Sequence, residues 1–286
     1  MHMLNRRFVH VLLGMFFATA IAMAQPGATP PSAAPPSATQ PTATQPTATQ
    51  PAATPPTAKP VNVADYPNVI SVACAGDSIT AGYGGPAEVS YPAQLGRMLG
   101  EKWAVRGYGR SGTTLLNKGS LPYQKGPMWR ILGAPPDVIV IMLGTNDTNP
   151  GNWSKKADFE ADYKDMIKKF SDLASKPRIY ICTPPPVLRN GRYGCSEANI
   201  LEEIPMIEKV AKEMKVDVID VHGALKARES ENLLPDNIHP NAAGSTVIAA
   251  TIYEALTGAK PTEEVLKAAI PPQAEVPLDQ SRTEGK

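Results

Sequence analysis

The chain has 286 residues, of which 42% are hydrophobic and 19% are charged, and its formal net charge is +1. This length allows one well-buried domain with flanking segments. No block of like charges occurs, so we expect no nucleic acid and no acidic membrane surface as a partner. The three cysteines contain no Cys-x-x-Cys pair, which argues against a zinc site and a thioredoxin-type redox site.

Residues 1–24 have the pattern of a secretory signal peptide. Arg6 and Arg7 give a positive start, residues 11–23 form an apolar middle, and residues 22–24 read Ala-Met-Ala, a small-residue cleavage site. The apolar run is shorter than the ~20 residues that a bilayer-spanning helix requires, which disfavours an uncleaved anchor. We therefore expect cleavage after Ala24, a secreted or periplasmic mature protein, and no stable membrane insertion.

Residues 25–62 have the composition of a disordered linker. They consist mainly of Ala, Thr, Pro and Gln, and the pentad Ala-Thr-Gln-Pro-Thr begins at Ala38 and again at Ala43. Such a segment has too little apolar surface to offset the entropy lost on ordering. Residues 63–258 remain for a single domain. Residues 259–286 are expected to form a weakly ordered tail with a short helical pattern over residues 262–269.

Within the domain, short apolar runs alternate with amphipathic helical patterns. The apolar runs cover residues 69–75, 103–108, 138–143, 178–183 and 216–221. The helical patterns cover residues 91–99, 123–132, 155–175, 196–215 and 241–256. Continuous hydrophobicity is typical of strands buried on both faces, as in parallel sheets with helices on each side. The pattern predicts an α/β fold, a three-layer α/β/α sandwich around a five-stranded parallel sheet.

A serine, a histidine and an aspartate lie next to predicted elements in positions that suit nucleophilic catalysis. Ser78 comes directly after the first apolar run, whereas Asp236 and His239 lie three residues apart before the last helical pattern. Serine becomes an effective nucleophile when a base takes its proton and a third group orients that base. By itself the Asp-x-x-His spacing is weak, because His239 could instead cap the helix that follows. We predict that Ser78, His239 and Asp236 form a catalytic triad.

Hydrogen-bond donors for an oxyanion follow the first three predicted strands. They are the backbone N–H of Ser78, the backbone N–H of Gly109 and the side-chain amide of Asn146. Acyl transfer requires such donors where negative charge develops on the carbonyl oxygen. Because ligands bind at the carboxyl ends of parallel strands, we predict that these three groups form an oxyanion hole.

In this order, Gly-Asp-Ser at residues 76–78, Gly109, Gly-Thr-Asn-Asp at residues 144–147 and Asp236-x-x-His239 resemble the four signature blocks of the SGNH (GDSL) hydrolases. The resemblance covers roughly residues 69–255. It implies a flavodoxin-like α/β/α fold, a Ser–His–Asp esterase mechanism, and no metal or other cofactor. Residues 141–147 and 179–186 look most like those of sialate O-acetylesterases and xylan-esterase-like carbohydrate esterases.

The function expected from these residues is that of a serine esterase, a carboxylic ester hydrolase of the acetylesterase type. Its substrate would be an acylated carbohydrate or another small ester. A lysophospholipase or thioesterase with the same machinery is the alternative enzyme. A non-catalytic carbohydrate-binding or envelope-tethering module that kept the fold is the alternative from another class.

The sequence allows two roles for several further residues. His222 is either a substrate contact or, as we favour, a structural histidine, and a disulfide between Cys182 and Cys195 is left open. Asp77 and Asp147 are expected to hold their loops through backbone N–H groups. Aromatic residues near strand exits and loops, which either pack in the core or stack on sugars, are Tyr83, Tyr91, Tyr108, Trp129, Trp153 and Tyr193.

Overall fold

The computed structural model describes residues 58–189 and 191–271, with the side chain of Arg192 left out. The predicted signal peptide, most of the predicted linker and the end of the tail lie outside these residues. No helix within the two described ranges is both long enough and apolar enough to span a membrane.

The described residues contain a five-stranded parallel sheet with the strand order β2-β1-β3-β4-β5. The strands are β1 (Ile70–Gly76), β2 (Trp103–Gly109), β3 (Val138–Met142), β4 (Arg178–Cys182) and β5 (Asp217–Ile219). This is the flavodoxin-type order, whose topological switch point lies between β1 and β3. The predicted fold class is therefore confirmed.

Helices connect the strands and cover both faces of the sheet. Within the described residues they are α1 (Ser78–Ala81), α2 (Tyr91–Leu99), α3 (Met128–Leu132), α4 (Pro150–Trp153), α5 (Phe159–Ser171), α6 (Glu197–Met214), α7 (Val221–Lys226), α8 (Ala242–Thr257) and α9 (Glu263–Ala269). Short 3₁₀ turns cover Val63–Asp65, Ala87–Val89, Tyr123–Lys125, Lys156–Asp158, Arg192–Gly194 and Glu229–Glu231.

Two apolar cores lie on opposite faces of the sheet. Successive strand residues point to opposite faces, so Val72 and Cys74 of β1 pack with helices α2, α7 and α8, whereas Ala73 and Ala75 pack with α3, α5 and α6. All positions of β3 are buried, as expected for a central strand. The sheet thus forms the middle layer and directs the carboxyl ends of its strands to one edge.

The two outer strands are less buried than the sequence predicts. Ala104 and Arg106 of β2 are exposed, because a strand at the edge of a sheet has only one neighbour. Strand β5 ends at Ile219, two residues before the predicted end at Val221. The carboxylate of Asp220 accepts a hydrogen bond from the backbone N–H of Gly223 and begins α7 there.

The ends of the domain extend further than the predicted boundaries. Ala58 and Val61, in the predicted linker, are buried, and the backbone N–H of Val61 donates to the carbonyl of Leu256 at 2.8 Å. In the predicted tail, helix α9 forms, its Ala269 is fully buried, and Arg97 donates from Nε to the Ala269 carbonyl at 2.8 Å. Helix α9 thus lies within the short helical pattern that the sequence indicates over residues 262–269.

Candidate active site

The nucleophile candidate lies in a tight turn between β1 and α1. Ser78 is the first residue of α1, and the carboxylate of Asp77 caps that helix by accepting from the backbone N–H of Ile79 at 2.9 Å. Gly76 leaves room for the turn, because a Cβ there would lie 1.9 Å from Oγ1 of Thr80. Ser78 is thereby fixed at the carboxyl edge of the sheet, with 7% of its surface exposed.

The structure brings the three predicted triad residues together. Oγ of Ser78 lies 2.9 Å from Nε2 of His239, and Nδ1 of His239 lies 2.7 Å from Oδ2 of Asp236. The other carboxylate oxygen of Asp236 accepts from the backbone N–H groups of Ile238 and His239 at 3.1 and 2.7 Å. Burial acts to raise the pKa of Asp236, but these hydrogen bonds outweigh it and hold the pKa of the carboxyl below its ordinary value.

Two of the predicted aromatic residues lie at the site. The ring of Tyr83 packs against the ring of His239 with centroids 4.4 Å apart, and the hydroxyls of Tyr83 and Tyr193 lie 3.4 Å apart. By contrast, Tyr91 and Trp153 are buried in the cores, and the largely exposed Trp129 does not line the cavity. The sequence alone did not distinguish aromatic residues that pack in the cores from those that line the site.

A cavity of about 690 Å³ opens beside the triad. Hydroxyl, amide and glycine residues form most of its wall, and Ile238 is the only aliphatic side chain among the described lining residues. The lining consists of Ser78, Tyr83, Ser111, Gly112, Lys118, Gly119, Ser120, Thr145, Asn146, Asn149, Gly151, Asn152, Lys155, Tyr193, Cys195, Ile238 and His239. A site of this size accepts a ligand considerably larger than an acetyl group.

Of the predicted oxyanion donors, Ser78 and Asn146 line the cavity, but Gly109 does not. A Cβ at Gly109 would lie 2.3 Å from the backbone nitrogen of Ala81, so this glycine lets β2 pack against the nucleophile turn. Gly112 lines the cavity instead, with φ at +80°. No described residue accepts a hydrogen bond from the backbone N–H of Gly112 or of Ser78. Residues 107–112 read Gly-Tyr-Gly-Arg-Ser-Gly, and the place of Gly112 in this glycine-rich motif was the available sequence signal.

The side-chain amide of Asn146 faces two acceptors. Its Nδ2 donates to the carbonyl of Thr113 at 3.0 Å and lies 3.3 Å from Oδ2 of Asp77. Its backbone carbonyl accepts from Nδ2 of Asn152 at 2.8 Å. Asn146 is thus held on both its side chain and its backbone at the wall of the cavity.

Three carboxyl groups are buried beneath the site. Asp147 accepts from the backbone N–H groups of Leu115 and Leu116 at 2.9 and 2.8 Å, the loop contact that the sequence predicts. Burial raises the pKa of both Asp77 and Asp147 to about 7, although backbone N–H groups oppose this rise. Both residues therefore titrate near neutrality.

The third buried carboxyl, Glu203, was not singled out from the sequence. It is fully buried on α6, and no described residue forms a hydrogen bond with either of its carboxyl oxygens. Burial, with the nearby charges of Asp147 and Asp77, raises its pKa well above the ordinary value and so favours the neutral acid. A Cβ at Gly144, where φ is +126°, would lie 1.7 Å from Oε1 of Glu203. Glu203 therefore packs directly against the turn that carries Asn146.

The remaining candidates are His222, the three cysteines and possible metal ligands. His222 is buried with its Nε2 3.0 Å from Oε1 of Glu197, the structural role favoured from the sequence. The cysteines Cys74, Cys182 and Cys195 are free and buried, so Cys182 and Cys195 form no disulfide. Within the described ranges, no group of three or more His, Cys, Asp and Glu residues could hold a metal ion.

A doubly wound α/β/α sandwich that presents a hydrogen-bonded serine, histidine and aspartate at its switch point has the architecture of the GDSL-type proteins. Residues 74–247 match the model of the GDSL-like lipase/acylhydrolase family, and the chain belongs to that family.

One curated relative is an acetylxylan esterase from Xylanibacter ruminicola, to which the chain is 37% identical over 210 residues. The match covers 66% of this chain and 43% of that protein, so the chain spans less than half the length of this relative.

Two solved structures show the same fold. A lipase/acylhydrolase from Enterococcus faecalis has a TM-score of 0.56 at 24% identity, covering 68% of this chain and 99% of that one. A carbohydrate acetylesterase from Sinorhizobium meliloti has a TM-score of 0.55 at 20% identity, covering 65% and 97%.

Proposed function

We propose that this protein is a carboxylic ester hydrolase, a serine esterase that removes small acyl groups, foremost O-acetyl, from carbohydrate. The observation that carries the proposal is the 2.9 Å contact between Oγ of Ser78 and Nε2 of His239, with Asp236 on the other ring nitrogen and the cavity beside it. Membership of the acylhydrolase family and the similarity to an acetylxylan esterase support it.

The proposed reaction has two acyl-transfer steps. His239 takes the proton of Ser78 as Oγ attacks the carbonyl carbon of the ester, and Asp236 orients and stabilises the imidazolium. The intermediate collapses when His239 returns this proton to the sugar oxygen, which leaves as the alcohol. Water then attacks the acyl-enzyme, giving one proton to His239. That proton returns to Ser78 as the carboxylic acid departs.

The negative charge on the carbonyl oxygen would be stabilised by three donors. In place of the predicted Gly109, we assign the backbone N–H of Gly112 alongside the backbone N–H of Ser78, since both groups are free of acceptors in the described chain. The third donor is Nδ2 of Asn146. Its 3.3 Å contact with Asp77 is the longer of its two contacts, and the hydrogen engaged there is available to a stronger acceptor.

The cavity wall favours a short acyl group over a long one. A lysophospholipase or thioesterase needs an apolar groove for its acyl chain, whereas Ile238 is the only aliphatic side chain in the described lining. We therefore expect p-nitrophenyl acetate to be hydrolysed with a higher kcat/KM than p-nitrophenyl octanoate. A strong preference for octanoate would favour the lipid-directed alternative.

Covalent labelling tests the nucleophile directly. An organophosphonate ester should inactivate the protein, and mass spectrometry should locate the adduct on Ser78. Ser78→Ala should abolish both labelling and hydrolysis of p-nitrophenyl acetate, whereas Ser154→Ala, at an exposed serine, should be labelled as the parent is. An adduct on another residue, with activity retained by Ser78→Ala, would refute the proposed mechanism.

A further inference from the structure

The wall of the catalytic cavity carries positive charge. Lys118 and Lys155 line it, and no aspartate or glutamate of the described chain does. Asp77 caps α1 and Asp236 is bonded to His239, and neither residue is part of the lining. A neutral sugar would leave this charge unused.

The two lysines differ in how far their charge is already neutralised. Nζ of Lys155 donates to the carbonyl of Gly151 at 2.7 Å, and no carboxylate of the described residues forms an ion pair with it. Nζ of Lys118 lies 2.8 Å from Oδ2 of Asp158, and its side chain is 70% exposed. Lys155 therefore lines the cavity with an ammonium that has no carboxylate partner among the described residues, whereas Lys118 shares its charge with Asp158.

Asn152 ties both lysine segments to the predicted oxyanion site. Its Nδ2 donates to the backbone carbonyl of Asn146 at 2.8 Å, and its Oδ1 accepts from the backbone N–H of Ser120 at 2.9 Å, two residues after Lys118. Its own backbone carbonyl accepts from the backbone N–H of Lys155 at 2.9 Å. The segments that bear the two ammonium groups are thus anchored to the loop at which the ester carbonyl would react.

Resting on the proposed esterase function, we propose that the acylated substrate is an acidic carbohydrate, whose carboxylate binds Lys155 and, secondarily, Lys118 while its ester lies at Ser78. A cavity of about 690 Å³ has room for a sugar ring beside the acyl group. An ammonium and a carboxylate form a charge-assisted hydrogen bond, stronger than the bonds that sugar hydroxyls make. A uronic acid and a sialic acid supply the same chemistry.

The test compares each acidic sugar with its neutral counterpart. Acetate release is measured from an O-acetylated galacturonic acid methyl glycoside and its uronamide, and from O-acetylated N-acetylneuraminic acid and its carboxamide. The parent should show a kcat/KM about tenfold higher for the acid than for the amide in at least one pair. That pair identifies the source of the carboxylate. The preference should shrink in about 0.5 M salt, because the interacting charges are partly exposed.

Lysine variants assign the preference to the cavity wall. Lys155→Met should lower kcat/KM for the acid several times more than for the amide and so remove the preference, and Lys118→Met should reduce the preference by about threefold. Lys168→Met is the matched control, since that lysine is also 70% exposed and also lies 2.8 Å from an aspartate, Asp172, but does not line the cavity. It should leave the preference unchanged.

Failure of this inference is distinguishable from failure of the esterase proposal. Suppose that the parent hydrolyses p-nitrophenyl acetate. Equal rates of acetate release from the acid and the amide of each pair would then overturn the inference alone, and so would no release of acetate from either acid. An equal loss of kcat/KM for the acid and the amide in Lys155→Met would also overturn it, because Lys155 would then support the structure of the cavity wall rather than bind the carboxylate. No hydrolysis of any of these esters would overturn both proposals.

Discussion

At the scale of single residues, Asp236 is bonded to His239 through both the ring and the backbone. Asp236→Asn places an amide beside Nδ1, which favours the wrong imidazole tautomer, and kcat for p-nitrophenyl acetate should fall by about 10³ to 10⁴. Asp165→Asn, in an exposed ion pair with Lys169, should leave kcat unchanged. Retention of most activity by Asp236→Asn would remove this carboxylate from the mechanism.

The lowered pKa of Asp236 also has a consequence for stability. A carboxyl whose pKa is lower in the folded than in the unfolded state stabilises the fold above its unfolded pKa, and this contribution disappears as the pH falls through the folded pKa. The free energy of unfolding of the parent should therefore decrease as the pH drops below about 4, and this decrease should be smaller in Asp236→Asn. Urea denaturation at pH 7 and pH 3 measures both.

Glu203 predicts the opposite pH dependence, because its pKa is raised in the folded state. The folded protein holds this proton while the unfolded chain loses it above about pH 4.3, so rising pH destabilises the fold. Glu203→Gln keeps the shape of the neutral acid and does not ionise. The free energy of unfolding of Glu203→Gln should therefore increase relative to that of the parent as the pH rises above that value.

Urea denaturation of Glu203→Gln between pH 5 and 8 checks this expectation. Glu208→Gln, at an exposed position of the same helix, is the control and should follow the parent at every pH. A constant difference in unfolding free energy between Glu203→Gln and the parent across this range would mean that Glu203 is ionised in the fold.

Substitutions at Gly109 and Gly112 distinguish a glycine needed for packing from a glycine whose N–H is a proposed oxyanion donor. Gly109→Ala should cost about 3 kcal/mol of unfolding free energy, because the new Cβ meets backbone atoms of α1. Gly112→Ala meets only Leu121, at 3.8 Å, and should cost about 1 kcal/mol for its positive φ while lowering kcat through a displaced N–H. A stable Gly109→Ala variant with a specific loss of kcat would return the donor role to Gly109.

At the scale of elements, helix α9 depends on one side chain of α2. Arg97 donates to the carbonyl of Ala269 at the carboxyl end of α9. Arg97→Ala should cost about 1 kcal/mol of unfolding free energy and speed amide hydrogen exchange in α9 before the rest of the domain. Lys267→Ala removes an ion pair with Glu263 in which the two side chains are 75% and 83% exposed. It should change neither the free energy of unfolding nor the exchange of α9. Unchanged exchange in Arg97→Ala would show that apolar contacts alone hold α9.

The elements themselves were largely predictable, because buried strands of a parallel sheet leave continuous apolar runs and helices leave a 3.6-residue period. The end of β5 was not, since it depends on a single capping carboxylate, Asp220. The proximity of Ser78, His239 and Asp236 could be predicted from their residue types, the place of Ser78 after a strand and the resemblance of the motifs. The choice between Gly109 and Gly112, and the presence of Lys155 in the cavity wall, could not, because loops decide both and carry no periodic signal.

At the scale of the whole molecule, the compact domain begins earlier than its composition indicates. Val61 is 6% exposed and packs in a core, whereas Val63 is 40% exposed. Val61→Asp should lower the free energy of unfolding by roughly 3 kcal/mol, because it buries a charge, and Val63→Asp should change it by less than about 0.5 kcal/mol. Chemical denaturation of both variants measures this. Equal stability would place residues 58–62 in the linker after all.

The serine and the histidine that contact each other are 161 positions apart in the sequence, and α8 follows the histidine directly. Ser78 is therefore synthesised well before His239. If Ser78 and His239 act as proposed, ester cleavage can begin only once the His239 segment and α8 have docked on the sheet. Turnover after dilution from urea should therefore return with the last folding event, and circular dichroism should recover sooner.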